Sequence, residues 1–226
     1  MAYIGGADVE AVLQELRAES TEGFNGDVLF LLPGETELSS DQVKNVRMFV
    51  EGGGTLLTCL ENEEQASVLP VDVGLENKSI WRAEFPDDAV FSGLGMSELF
   101  WRQAVDLPAL ARLGGRDASV SAGGLAGVTK FGQGRIVVLQ IDPGLFTNEE
   151  QAWQRSKVLR IYATVLNNLG VKSSAALDLC AISGMARANE WLPGYAPAEE
   201  SGPEAMESDQ YVVAALDFDP DEHHVW

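Results

Sequence analysis

Residues 52–64, "GGGTLLTCLENEE", place a cysteine, Cys59, directly after a short apolar run that opens on three glycines. Such a run reads as a strand, and the C-terminal end of a strand in an open α/β sheet is where nucleophiles and ligands sit. A catalytic thiol needs more than position. It needs a base, an oxyanion site and a turn that exposes the sulfur. The chain's only histidines are His223 and His224, far away in the C-terminal tail. Glu61, Glu63 and Glu64 follow the cysteine, and nearby negative charge disfavours a thiolate. Cys59 therefore reads as a small buried residue that closes a strand, with a thiol nucleophile as the alternative.

Other residues invite chemistry and also have plainer explanations. Glu61, Glu63 and Glu64 could ligate a hard metal, but acids after a strand more often form the solvated first turn of a helix. Asp142 in "QIDPGLF" ends a strand, so it is a ligand-binding candidate; before Pro143-Gly144 it also suits a turn. Trp101 and Arg102, with Trp81 and Trp226, offer faces on which sugars could stack; aromatic residues in a Gly/Pro-rich stretch also serve as local core. Gly5-Gly6 lacks the third glycine of a dinucleotide fingerprint and reads as a turn. Cys59 and Cys180 could pair once, and their spacing implies no metal site. No metal and no cofactor is expected.

The elements that would position these residues are legible in the periodicity. Val9, Val12, Leu13 and Leu16 recur at helical spacing, with Asp8 as the expected N-cap. "DVLFLL" is a continuous apolar run ended by Pro33-Gly34, as in a strand covered on both faces. "LSSDQVKNVRMFVEGGG" is a helix with Ser39 and Gln42 at capping-box spacing and Val43, Val46, Phe49 and Val50 as its buried stripe. Strand, helix and strand with tight connections imply a parallel sheet with right-handed crossovers.

Residues 65 to about 125 lose this rhythm and read as an irregular insertion with one or two short helices. Order returns in "LAGVTKFGQGRIVVLQID", a hairpin turning through Gly132-Gln133. A helix follows, capped by Thr147 or Asn148, with Trp153, Val158, Ile161, Tyr162, Val165, Leu166 and Leu169 inside and Gly170 at its end. Residues 199–226 hold nine acids and no Lys or Arg, yet Tyr211, Val212, Val213, Leu216, Phe218 and Trp226 make this more than a solvating tail. The expected organisation is an α/β domain over 1–172 and an acidic strap or tail over 173–226.

Thirty-five acids against 15 bases give a net charge of −20, which repels phosphate backbones and anionic lipid. Nucleic acid and membrane are thus poor partners. No apolar run approaches the ~20 residues of a bilayer span, and "MAYIGGADVE" resembles no secretion signal. That opening is also abrupt, as in a fragment of a longer enzyme.

"DVLFLLPGETELSSDQVKNVRMFVEGGGTLL" resembles the class I glutamine amidotransferase-like fold in its non-catalytic form, which includes the trimerisation-type domain of β-galactosidases. "FSGLGMSELFWR", "KFGQGRIVVLQIDPGLF", "RSKVLRIYATVLNNLGV" and the terminal "DPDEHHVW" are similar to C-terminal regions of large bacterial β-galactosidase-like glycoside hydrolases. The resemblance spans roughly Asp27 to Gly170, with an echo in the tail. It implies a flavodoxin-like, mainly parallel sheet with helices on both faces. Active members carry a Gly-Xaa-Cys-Xaa-Gly elbow after this strand. Here Leu57 and Glu61 replace both glycines, so the elbow is lost.

The resemblance implies a non-catalytic accessory module of a β-galactosidase-like glycosidase, serving packing, assembly or carbohydrate presentation. Its partners would be neighbouring domains or further copies of itself, and possible carbohydrate; its location would be extracytoplasmic if the parent enzyme is secreted. Two rivals remain: a cysteine-dependent hydrolase or amidotransferase using Cys59, and a free-standing carbohydrate-binding domain built on residues 78–110.

Overall fold

The computed structural model describes residues 1–34, 37–82, 84–94, 100–144 and 152–172, without the side chains of 100–103 and 152–156. All of them belong to the first of the chain's two units, Met1–Ala176. The expected acidic strap, Cys180, His223, His224 and the proposed caps Thr147 and Asn148 lie outside the described residues.

The elements are β1 (Ala2–Ile4), α1 (Ala7–Glu15), β2 (Thr21–Glu22), β3 (Val28–Leu31), α2 (Ser40–Glu51), β4 (Thr55–Thr58), α3 (Glu63–Ala66), β5 (Val73–Arg82), β6 (Phe100–Leu113), β7 (Arg116–Val120), β8 (Ala126–Phe131), β9 (Gly134–Leu139) and α4 (Ala152–Asn168). A 3-10 turn occupies Ala89–Phe91.

Seven strands form one sheet in the order β2-β1-β3-β4-β9-β8-β7. The first five are mutually parallel, and β8 and β7 join antiparallel. Counted along the chain, the parallel strands run 2-1-3-4-5, the flavodoxin-like order. Leu29, Leu31, Leu56, Ile136 and Val138 share a buried cluster with Val46 and Val50 of α2. Alternate strand residues point the other way. There the Phe30 ring lies 5.3 Å from that of Tyr162 on α4. Helices thus cover both faces, which is why β3 is buried along its whole length.

Local chemistry explains the boundaries. Ser39 and Gln42 close a reciprocal capping box at the start of α2: the Gln42 N–H donates to Ser39 Oγ at 3.3 Å and the Ser39 N–H to Gln42 Oε1 at 2.9 Å. The N-cap of α1 is Gly6 rather than Asp8, and no side chain caps it. Asp8 instead lies in the first turn, where the helix dipole favours its charge. The hairpin turns at Gly132, whose φ is +59° and whose missing Cβ would lie 2.6 Å from Glu51 Cα. Only glycine satisfies both conditions.

The insertion is more regular than its sequence implied. After the short helix α3, β5 and β6 form a long antiparallel ribbon, broken by two register shifts. Both faces of its strands are largely polar or half-buried, so no clean alternation marks them. Pro108 also interrupts the pattern; it is tolerated because a two-stranded ribbon leaves one side of each strand unpaired.

Candidate functional site

The parallel strands end together, and the segments that follow them meet at one edge of the sheet. Gly5-Gly6 follows β1, Leu32-Pro33-Gly34 follows β3, Cys59-Leu60-Glu61 follows β4 and Gln140 to Gly144 follows β9. This carboxyl edge is where open α/β folds bind ligands.

Cys59 reaches that edge but not the solvent. It is a free thiol, 8% exposed. Burial pushes its pKa far above the ordinary thiol range, and the charges of Asp142 and Glu61 push it further. The neighbouring Leu60 N–H offsets only part of that rise. The backbone donor that an elbow would aim at an oxyanion, the N–H after the cysteine, is already engaged, and so is the next one. The Leu60 N–H donates to Gln140 Oε1 at 2.9 Å, and the Glu61 N–H to Gln65 Oε1 at 2.7 Å. Among the described residues there is no histidine to act as a base. Among the described residues nothing activates the Cys59 thiol, which burial keeps protonated.

Asp142 takes the turn role. Its Oδ1 accepts the Gly144 N–H at 2.8 Å, two residues on. A Cβ built on Gly144 would lie 2.9 Å from Asp8 Oδ2 and 3.0 Å from Asp142 Oδ2, so the two carboxylates flank this glycine. Although Asp142 is exposed as a whole residue, partial burial of its carboxyl group raises its pKa. The Gly144 N–H pulls the other way, and the charges of Asp8 and Glu61 add to the rise. Glu61 in turn accepts a bond from Gln65 Nε2 at 3.1 Å and lies over Gly34. Glu63 and Glu64 sit exposed in the first turn of α3, as solvated helix-starting acids do. Among the described residues no three of His, Cys, Asp and Glu gather as metal ligands.

Comparison with protein-family models gives no match, and comparison with curated proteins gives none. Solved structures do resemble the fold. A cytoplasmic protein from Salmonella typhimurium matches at 14% identity and TM-score 0.47, over 73% of this chain and 85% of its own. An exo-β-1,4-mannosidase from Opitutaceae bacterium strain TAV5 matches at 12% identity and TM-score 0.45, over 74% of this chain and 31% of its own. A β-galactosidase from Bacillus circulans sp. alkalophilus matches at 13% identity and TM-score 0.42, over 74% and 27%. The chain thus spans under a third of either glycosidase, and the likeness is one of fold only.

The remaining candidates lie elsewhere. Trp101 and Arg102 fall in β6 next to Phe100, which pairs with Arg82 at one end of the ribbon; their side chains are not described. Trp81, in the same end of the ribbon, is 60% exposed and so is not local core.

The edge is organised by a residue that periodicity passes over. Buried Gln140 accepts the Leu60 N–H, donates from Nε2 to the Leu60 carbonyl at 2.7 Å and also donates to the Pro108 carbonyl. One side-chain amide thus continues the β4–β9 pairing past the strand ends and ties it to the ribbon. Its signal in the sequence is a single amide between "IVVL" and Ile141 in an otherwise apolar run.

Proposed function

We propose that this chain is a non-catalytic accessory module of a β-galactosidase-like glycoside hydrolase, serving packing, assembly or carbohydrate presentation. One observation carries the non-catalytic part: Cys59 is sealed, and the N–H groups of Leu60 and Glu61 are bonded to Gln140 and Gln65. A thiol held protonated, with no histidine base among the described residues and the N–H groups that follow it already bonded, lacks the means of acyl transfer. The accessory role rests on the resemblance of "DVLFLLPG…GGGTLL" and "KFGQGRIVVLQIDPGLF" to non-catalytic domains of such enzymes. The 60% exposure of Trp81 supports carbohydrate presentation, since solvent-accessible aromatic surface can meet a sugar ring.

The test has two arms. The wild-type chain and Cys59→Ala are assayed against glutamine, p-nitrophenyl acetate and p-nitrophenyl β-D-galactoside; turnover lost in Cys59→Ala would overturn the reading. Sedimentation and titration with galacto-oligosaccharides then measure self-association and sugar binding, comparing wild type with Trp81→Ala. A chain that shows neither removes both the assembly and the presentation roles.

A further inference from the structure

Helix α1 ends in a way that favours glycine, and an arginine stands there. Leu16 is the C-cap; the Arg17 N–H donates to the Gln14 carbonyl and the Ala18 N–H to the Leu13 carbonyl, both at 2.9 Å. These two bonds are the Schellman closure, whose next residue adopts the left-handed conformation that glycine reaches without cost. Arg17 adopts it at φ +48°. The only other described non-glycine residue with positive φ, Asp117, is held by an ion pair with Lys130. Arg17 has no such support.

What Arg17 does have is a cleft of about 260 Å³, lined by Tyr3, Glu10, Gln14, Arg17, Ser20 and Glu22 among others. Its lining residues carry both signs of charge. Among the described residues Arg17 makes no ion pair, and neither Glu10 nor Glu22 makes one. Glu10 accepts a bond from the Tyr3 hydroxyl at 3.2 Å, which fixes that carboxylate at the cleft wall.

We propose that this cleft binds a small zwitterion: a molecule with one carboxylate and one ammonium group a few bonds apart, as in an α-amino acid. The guanidinium fork takes a carboxylate through two parallel hydrogen bonds. The carboxylates of Glu10 and Glu22 accept the ammonium donors, and the Ser20 hydroxyl and Gln14 amide add neutral hydrogen bonds. A ligand of one charge sign would be repelled by part of the lining. A neutral ligand would leave the charged groups without their strongest partners. The left-handed backbone at Arg17 then has a purpose, since strain in the fold is retained where a side chain serves a site. This inference does not rest on the accessory-module reading, and its outcome leaves that reading untouched.

The experiment is a ¹H–¹⁵N chemical-shift titration of the full chain with L-serine, with glycolate (the carboxylate alone) and with ethanolamine (the ammonium alone). L-serine is expected to move the amide signals of Tyr3, Arg17, Ala18 and Glu22 saturably, with each half-molecule at least tenfold weaker. Arg17→Gly is expected to melt at or above the wild-type temperature while losing at least tenfold in affinity for L-serine; Glu22→Gln is expected to lose affinity with unchanged melting. No movement of these signals would overturn the proposal, as would half-molecules that bind as well as L-serine. Equal affinity in Arg17→Gly would also overturn it. So would D-galactose moving the same signals where L-serine does not, which would make this a sugar site.

Discussion

Cys59 and Asp142 differ in what the protein does to their protons, and each difference is a measurable pH dependence. The Cys59 thiol stays protonated in the folded chain at pH values where a free thiol, with a pKa of about 8.5, ionises. Above that pH the unfolded chain releases a proton that the folded chain keeps, so stability falls as pH rises. Tyr162, raised well above its ordinary range by burial, adds to the fall at higher pH. The melting temperature should therefore decline above about pH 9, and less steeply in Cys59→Ala. In the folded wild type, iodoacetamide at neutral pH should label Cys59 far more slowly than in urea. Fast labelling of the folded chain would contradict the sealed site. At Asp142 the raised carboxyl pKa is a penalty on the charged form, present at neutral pH and gone once pH falls below about 4, where the acid is protonated in both states. Asp142→Asn keeps an oxygen for the Gly144 N–H and removes a charge beside Asp8 and Glu61. It should raise the melting temperature at pH 7 and leave it unchanged near pH 3.

At the scale of elements, the carboxyl edge holds together through Gln140 and through the packing of α4. Replacing Gln140 with leucine leaves the Leu60 N–H and carbonyl and the Pro108 carbonyl without their partner in a buried setting. Unsatisfied buried groups cost about 1–3 kcal/mol each, so the loss should be about 3 kcal/mol or more by urea denaturation. Amide exchange at Leu60 should accelerate in step. Leu166 is fully buried on α4. A carboxylate there has no partner and should cost about 4 kcal/mol, close to the whole stability of many domains. Thermal melting unchanged in Leu166→Asp would mean that α4 does not cover the sheet.

The whole molecule is shaped by its charge and by the ends of its sheet. A net charge of −20 repels itself most in the compact state. Its described ion pairs are all surface pairs, which contribute little each. Salt should therefore stabilise: raising NaCl from about 20 mM to about 500 mM shortens the screening length severalfold and should raise the melting temperature by several degrees. An unchanged or falling value would show that favourable pairs outweigh repulsion. Among the described residues, both edge strands of the seven-stranded sheet are short or irregular. β2 is two residues long, and β7 carries a register shift and the Asp117–Lys130 pair. Both are ways of blunting an edge strand. Among the described residues no helix is long and apolar enough to cross a membrane.

Periodicity and capping chemistry by themselves determined the parallel α/β core. "DVLFLL" and "TLLT" carry no polar face because helices cover both sides, and the Ser39/Gln42 box is a purely local agreement between side chain and backbone. The lack of a glycine elbow around Cys59 was likewise readable, since the flanking residues are neighbours in the chain. Two things belonged to the tertiary structure alone. The β5–β6 ribbon gains its order from cross-strand pairing, which leaves no one-face stripe when both faces are half-wet. The engagement of the Leu60 N–H is decided by Gln140, eighty residues further on. A hydrogen bond between residues that distant exists only once the sheet has brought β4 beside β9, and no local pattern encodes it.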